Sequence, residues 1–326
     1  MTDRLSVIGC GRWGSFHLWY GVRLGMRVIG WEPESSEPFR ELRESRRNAY
    51  MRLPDEASLT CDLRQAAGAD VMVVSVPVQK FRGVARLLSE LDLSETVVAL
   101  CMKGLERDTG KRPAEIAREE GIDPSGLCAW VGPGHPQQLL KEVPSCMLVA
   151  AEQLRTAEEL AGRMGSDLLR LYRSTDLVGA EIGAATKNVA GIAAGMLDGM
   201  GYSGLKGALM ARAPQEVARL VTALGGDWRT VFGLSHLGDY QATLFSPYSR
   251  NRAYGEALVR NEGFPGLAEG VETSVAVVHL ADRLDVDMPI TNAVKDIIDE
   301  KYTATEAVEI LFGRPEREEF GETFSS

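Results

Sequence analysis

Long apolar runs are missing from this chain of 326 residues. None reaches the ~18 residues that a membrane-spanning helix needs, so insertion into a bilayer is not expected. Positive charge is also in short supply: 36 Lys and Arg stand against 46 Asp and Glu, a formal net charge of −10. Such a chain has no long-range attraction for nucleic acid or an anionic membrane. A small anionic substrate stays compatible, because a local cationic pocket overrides a distant negative field. Cysteine is sparse and odd in number. Cys10, Cys61, Cys101, Cys128 and Cys146 all lie in the first half and form no CxxC pair. That pattern argues against a disulfide framework or a zinc site, and for free thiols in a reducing cytoplasm. The opening MTDRLSVIGCG lacks the basic and long apolar regions of a secretory signal. A cytoplasmic protein without a metal is expected.

What the chain does have is a change of texture near Leu177. Before it, short apolar runs at Leu5–Gly9, Arg27–Trp31, Asp70–Val76, Thr96–Cys101, Cys128–Val131 and Cys146–Ala151 alternate with helix-like stretches. The runs are β-branched and nearly continuous, as for strands buried on both faces of a parallel sheet. Alternation of strands and helices predicts a doubly wound α/β domain over residues 1–177. After it, long Ala-, Leu- and Val-rich segments with helical period predict an all-α domain over 178–326. Examples are Gly179–Met200, Pro214–Leu224, Val271–Leu284 and Ile290–Glu300. The tail after Arg314 is polar and is expected to be loose.

Gly9-Cys10-Gly11-Arg12-Trp13-Gly14 fits G-x-G-x-x-G between the first strand and the helix expected over Ser15–Leu24. The first glycine permits a tight turn and the second lets the backbone approach a pyrophosphate. The third lets helix and strand pack closely. Free N–H groups at the helix start suit an anion. This is a Rossmann-type dinucleotide site, the alternative being a plain strand–helix turn. Glu32 ends the second strand, where an acid accepts hydrogen bonds from the adenosine ribose. Its charge opposes a 2′-phosphate, so NAD is expected over NADP, with NADP possible if Arg43, Arg46 or Arg47 reaches that phosphate.

Gly183, Lys187, Gly191 and Gly195 recur every four residues and share one helical stripe. Each interior glycine costs ~1 kcal/mol relative to alanine, so a backbone or a ligand must come close to that stripe. Lys187 is almost the only charge in its segment, and a buried ammonium needs a carboxylate or an anionic ligand. Such a lysine suits acid–base work; the alternative is a lysine snorkelling from a packed helix. Asp239 and Thr243 share a face if their turn is helical, and Asp239 is placed to pair with Lys187. Arg250 offers a planar fork for a phosphate.

In order along the chain, these segments resemble the NAD-dependent sn-glycerol-3-phosphate dehydrogenase family. The resemblance is carried by Gly9-x-Gly11-x-Trp13-Gly14, Val76-Pro77, Lys103-Gly104-Leu105-Glu106, Gly132-Pro133, Lys187-Asn188, Asp198-Gly199 and Leu237-Gly238-Asp239. Thr243, Ser249-Arg250-Asn251-Arg252, Glu269-Gly270 and Met288-Pro289-Ile290 extend it. It implies reversible reduction of dihydroxyacetone phosphate to sn-glycerol 3-phosphate, a phosphorylated small-molecule substrate and a homodimer. Lys187 would be the acid–base group at the C2 oxygen, with Lys103 and Asp239 positioning substrate and Lys187. Thr243, Arg250 and Asn251 would line the phosphate end, and Asn188, next to Lys187, would also bind substrate. Arg12, Pro77 and Glu269 would lie near the cofactor.

Some positions depart from the family pattern. Gly134-His135-Pro136 replaces Ser-Phe-Ala, and Ser203-Gly204 replaces Asp-Asn close to the substrate. Ser235-His236 replaces Ala-Gly, and Tyr240 replaces Leu. These leave two alternatives beside the leading one. The first is a dehydrogenase of the same fold for another anionic 2-hydroxy or 2-keto compound. The second is a cofactor-sensing protein without catalysis.

Overall fold

The computed structural model describes residues 2–266, 268–316 and 318–319. Of the tail expected to be loose, residues 317 and 320–326 lie outside them. The described chain divides into two compact units, residues 1–103 with 111–181, and residues 104–110 with 182–326.

The first unit is built on one eight-stranded sheet. Its strands are β1 (Arg4–Ile8), β2 (Arg27–Trp31), β3 (Ser58–Thr60), β4 (Val71–Val74), β5 (Val97–Leu100), β6 (Leu127–Val131), β7 (Ser145–Ala150) and β8 (Leu169–Ser174), in the order β3-β2-β1-β4-β5-β6-β7-β8. Between them run α1 (Arg12–Arg23), α2 (Glu37–Ser45), α3 (Val78–Leu88), α4 (Pro113–Glu119), α5 (Pro136–Leu139) and α6 (Leu154–Met164). β1, β4, β5 and β6 are almost wholly buried, as their unbroken apolar sequences require. Order reverses between β1 and β4, so the carboxyl ends of these two strands open the crevice typical of ligand binding in such sheets.

The sheet departs from the parallel expectation at one edge. β7 pairs antiparallel with β6, with Trp130 opposite Val149. The connection between them holds only the four-residue α5. A parallel return usually needs a full crossover helix, and the chain turns straight back instead. Two strands were not foreseen. β3 has three residues, and β8 (LRLYRS) alternates apolar and charged residues at the sheet edge with only Leu169 buried.

In the second unit every regular element among the described residues is helical. The main ones are α7 (Leu177–Gly199), α8 (Lys206–Ala223), α9 (Arg250–Val259), α10 (Glu269–Leu284), α11 (Pro289–Ile298) and α12 (Ala304–Phe312). α8 starts eight residues before the expected Pro214 and carries that proline inside it. Val189, Ile192, Met196, Leu209, Tyr240 and Leu244 are among the core residues of this unit. α7 crosses the division between units, which falls after Glu181.

Candidate active site

In the first unit the glycine fingerprint joins β1 to α1. Gly9 has φ of 91°, and a Cβ there would lie 2.7 Å from the Ser75 carbonyl oxygen. A Cβ at Gly14 would collide with the Gly9 carbonyl oxygen. Both glycines are therefore demanded by the fold. Gly11 is different: a Cβ there would meet no protein atom within 4 Å. Its φ of −66° suits any residue. α1 has no acidic residue in its first turn and no side-chain cap, so its N-terminus keeps an electropositive character. Glu32 follows β2 and folds back onto this loop. Its carboxylate accepts from Cys10 N–H at 2.6 Å and from the Ser36 hydroxyl at 2.5 Å.

Arg12 lies over the Tyr50 ring at 5.5 Å. Trp13 packs edge-on to Phe16, and Lys103 Nζ sits 5.7 Å over the Trp13 ring while donating to the Gly132 carbonyl at 2.9 Å. A Cβ at Gly134 would come within 2.7 Å of the Trp13 ring, so glycine at that departure makes room for Trp13. Pro77 precedes α3 with φ of −57° and so starts that helix beyond β4. Arg46 donates to the carbonyls of Pro54 and Ala57, and Arg43 Nη1 lies 3.2 Å from Cys61 Sγ.

In the second unit the glycine stripe of α7 is covered by residues 235–256. A Cβ at Gly183 would come within 3.0 Å of Ser235 Oγ, and one at Gly191 within 2.5 Å of Thr243 Cγ2. One at Gly195 would collide with the Arg252 carbonyl oxygen. The close approach that the stripe implied is thus made by backbone and side chains. Lys187, in the middle of the stripe, is 7 % exposed, and Asp239 is fully buried. Lys187 Nζ lies 2.8 Å from Asp239 Oδ2 and donates to Thr243 Oγ1 at 2.8 Å. The Thr243 hydroxyl in turn donates to the Asp239 carbonyl at 3.0 Å. A 3-10 turn at Leu237–Asp239 and a π-helical turn at Gln241–Phe245 bring Asp239 and Thr243 to the same side. A buried ammonium without a counter-charge is costly, and Asp239 supplies that charge.

Asn188 is buried one residue on, and its carbonyl oxygen would lie 2.7 Å from a Cβ at Gly270. Asn251 Oδ1 accepts from Gly270 N–H at 3.0 Å, which ties α9 to the start of α10. Glu269 is the first residue of α10 and is exposed. Arg250 opens α9, and Gly266, with φ of 128°, leaves space for its guanidinium. Lys103 belongs to the first unit and Lys187, Asp239, Thr243, Arg250 and Asn251 to the second. Ser203 donates to Asp198, which also receives Lys206 at 2.6 Å and Arg252 at 2.9 Å. Several polar residues around Lys187 escaped the sequence reading. Thr186 and Tyr240 both contact the buried His236, and only the paired departures at His236 and Tyr240 hinted at this.

The family model for the NAD-dependent glycerol-3-phosphate dehydrogenase N-terminus matches residues 4–157, and that for its C-terminus matches 176–309. A glycerol-3-phosphate dehydrogenase [NAD(P)+] from Chlorobium phaeobacteroides (strain BS1) is 35 % identical, over 98 % of this chain and 99 % of its own length. One from Bradyrhizobium diazoefficiens is 37 % identical, over 95 % and 97 %. The crystal structure of glycerol-3-phosphate dehydrogenase from Coxiella burnetii aligns with a TM-score of 0.87 at 27 % identity, over 96 % of this chain and 99 % of that one. The chain belongs to the NAD-dependent glycerol-3-phosphate dehydrogenase family.

Proposed function

We propose that this chain interconverts sn-glycerol 3-phosphate and dihydroxyacetone phosphate as an NAD(P)-dependent oxidoreductase, with Lys187 as the acid–base group. The observation that carries the mechanism is the buried ammonium held by Asp239 and Thr243. The cofactor fits the first unit: only Gly11, of the three fingerprint glycines, is unexplained by packing, and it is the one expected to face a pyrophosphate. Arg12, Trp13 and Pro77 would flank the dinucleotide, and Glu269 would lie near it. When bound, the nicotinamide exchanges a hydride with the substrate. Asp239 and Thr243 hold the Lys187 ammonium in place. A proton of that ammonium goes to the C2 oxygen as negative charge develops there, and returns to the amine in the reverse reaction. In the second unit Asn188 and Asn251 orient substrate, and Arg250 holds its phosphate away from the reacting carbon; a role for Lys103 rests on the family resemblance alone.

Glu32, held by Cys10 and Ser36, would accept the ribose hydroxyls and repel a 2′-phosphate. Arg46 is committed to two backbone carbonyls. NAD is therefore the preferred form. The assay is NADH oxidation with dihydroxyacetone phosphate. Lys187→Ala should lower kcat by roughly three orders of magnitude or more while NADH still binds. Near-normal turnover in that variant would remove Lys187 from the chemistry, and a higher kcat/KM with NADPH would remove the role of Glu32. A cytoplasmic location belongs to the same reading, supported by five free thiols, and enzyme found exported in fractionated cells would refute it. A homodimer does too, supported by Ile310 and Phe312 at 50 % and 71 % exposure on α12. Light scattering should return twice the chain mass, and a monomer would refute it.

A further inference from the structure

We propose that His236 and Tyr240 are positioning residues that lock the Lys187 turn of α7 to the turn carrying Asp239. His236 is fully buried three residues before Asp239. Its Nδ1 lies 2.9 Å from the Gly183 carbonyl oxygen and 3.2 Å from Thr186 Oγ1. A carbonyl only accepts, so Nδ1 carries the hydrogen. In the neutral ring Nε2 then accepts, and the Tyr240 hydroxyl, 2.7 Å away, donates to it. Helical geometry pairs the same Gly183 carbonyl with the Lys187 N–H. One peptide oxygen thus receives both the backbone of the acid–base lysine and the ring of the residue that leads into its counter-ion. The neighbouring Thr186 hydroxyl donates to the Ile182 carbonyl at 2.8 Å. Glycine at 183 eases this approach, since a Cβ there would lie 3.1 Å from that of His236, tighter than ordinary contact.

The lock is assigned to a neutral imidazole. A proton on Nε2 would reverse the Tyr240 hydrogen bond, leaving the phenol oxygen to accept, and would place an uncompensated charge in the core. Burial pushes His236 down to about 4, with Lys187 lowering it further while the Gly183 carbonyl and Asp239 oppose the shift. Tyr240 is raised well above the usual tyrosine range by burial, with Glu216 adding to it. Both rings therefore stay uncharged through the working pH range. A neutral lock fixes the direction of the Lys187 ammonium without adding a charge that would compete with Asp239.

The inference rests on Lys187 being the acid–base group, so Lys187→Ala serves as the reference. His236→Ala should lower kcat roughly 10- to 100-fold, as a small misalignment of a proton donor does. KM for dihydroxyacetone phosphate and for NADH should stay within about twofold, and the pH limb of kcat set by Lys187 should move. His236→Asn, whose amide nitrogen can replace Nδ1 but which offers Tyr240 no Nε2, should recover the rate to roughly the level of Tyr240→Phe. Tyr240→Phe should cost roughly 3- to 10-fold, by leaving Nε2 without a donor. Imidazole nitrogen NMR of the full-length protein should show the neutral Nδ1–H form of His236 from about pH 5 to 8. If Lys187→Ala is inactive while His236→Ala keeps wild-type kcat and pH profile, the lock is refuted and the acid–base assignment stands. If Lys187→Ala is active, the assignment itself falls. An Nε2–H form by NMR, or His236→Asn no better than a folded His236→Ala, also overturns the lock. Should His236→Ala fail to fold, Tyr240→Phe and the NMR tautomer decide.

Discussion

Gly11 and Gly195 carry the same side chain for opposite reasons. A Cβ at Gly195 would collide with the Arg252 carbonyl oxygen, whereas one at Gly11 would touch no protein atom within 4 Å. Helix propensity alone would make Gly195→Ala stabilising by ~1 kcal/mol. The collision reverses the sign, and the variant is expected to lose at least about 3 kcal/mol in urea unfolding. Gly11→Ala should fold with near-native stability and bind NADH at least about tenfold more weakly, as fluorescence titration would read. Equal NADH affinity in Gly11→Ala would show that this glycine faces no ligand. The stripe from Gly183 to Gly195 was legible in the sequence as a demand for close approach, but not as to what approaches. Spacing reports which residues share a helix face. It carries no trace of the 235–256 segment that lies against it, because that contact joins residues some fifty positions apart. The Lys187–Asp239 pairing was legible as an expectation because an isolated lysine in an apolar helix needs a counter-charge.

Among elements, the strands with continuous apolar sequence were readable to within a residue or two, since burial on both faces leaves no choice of side chain. β8 was not, because an edge strand with exposed arginines at 170 and 173 lacks that signature. The reversal at β7 was hidden as well, since direction depends on what fills the connection rather than on the strand itself. The start of α11 shows how one buried residue fixes an element. Glu216 on α8 accepts from the N–H groups of Ile290 and Thr291 at 2.8 and 3.0 Å, and from the Thr291 hydroxyl at 2.7 Å. It therefore acts as a cap supplied by another helix, satisfying donors that α11 cannot satisfy itself. Glu216→Ala leaves those donors buried without acceptors and should cost about 2–4 kcal/mol. A cost below about 1 kcal/mol in urea unfolding would mean that water replaces the carboxylate and that the cap is dispensable.

At the scale of the whole molecule, two buried histidines make folding sensitive to acid. Burial pushes His17 in the first unit down to about 3 and His236 in the second down to about 4. An unfolded chain protonates histidine near pH 6.5. Each lowered value means that the unfolded state binds more protons as pH falls below about 6.5. The stability contributed is complete above that pH and is lost as pH drops towards the folded value. For His236 the loss between pH 6.5 and 4.5 comes to about 2 kcal/mol. Asparagine at 236 does not titrate and keeps a donor for the Gly183 carbonyl. His236→Asn should therefore be less stable than wild type at pH 7, yet lose about 2 kcal/mol less on going from pH 6.5 to 4.5 in urea unfolding. His17, distant in sequence and in the other unit, should keep its own acid dependence in that variant, so its stability curve is flattened rather than level. Parallel curves for the two proteins would mean that His236 is already charged in the folded state, and the hydrogen-bond pattern assigned to its ring would then be wrong.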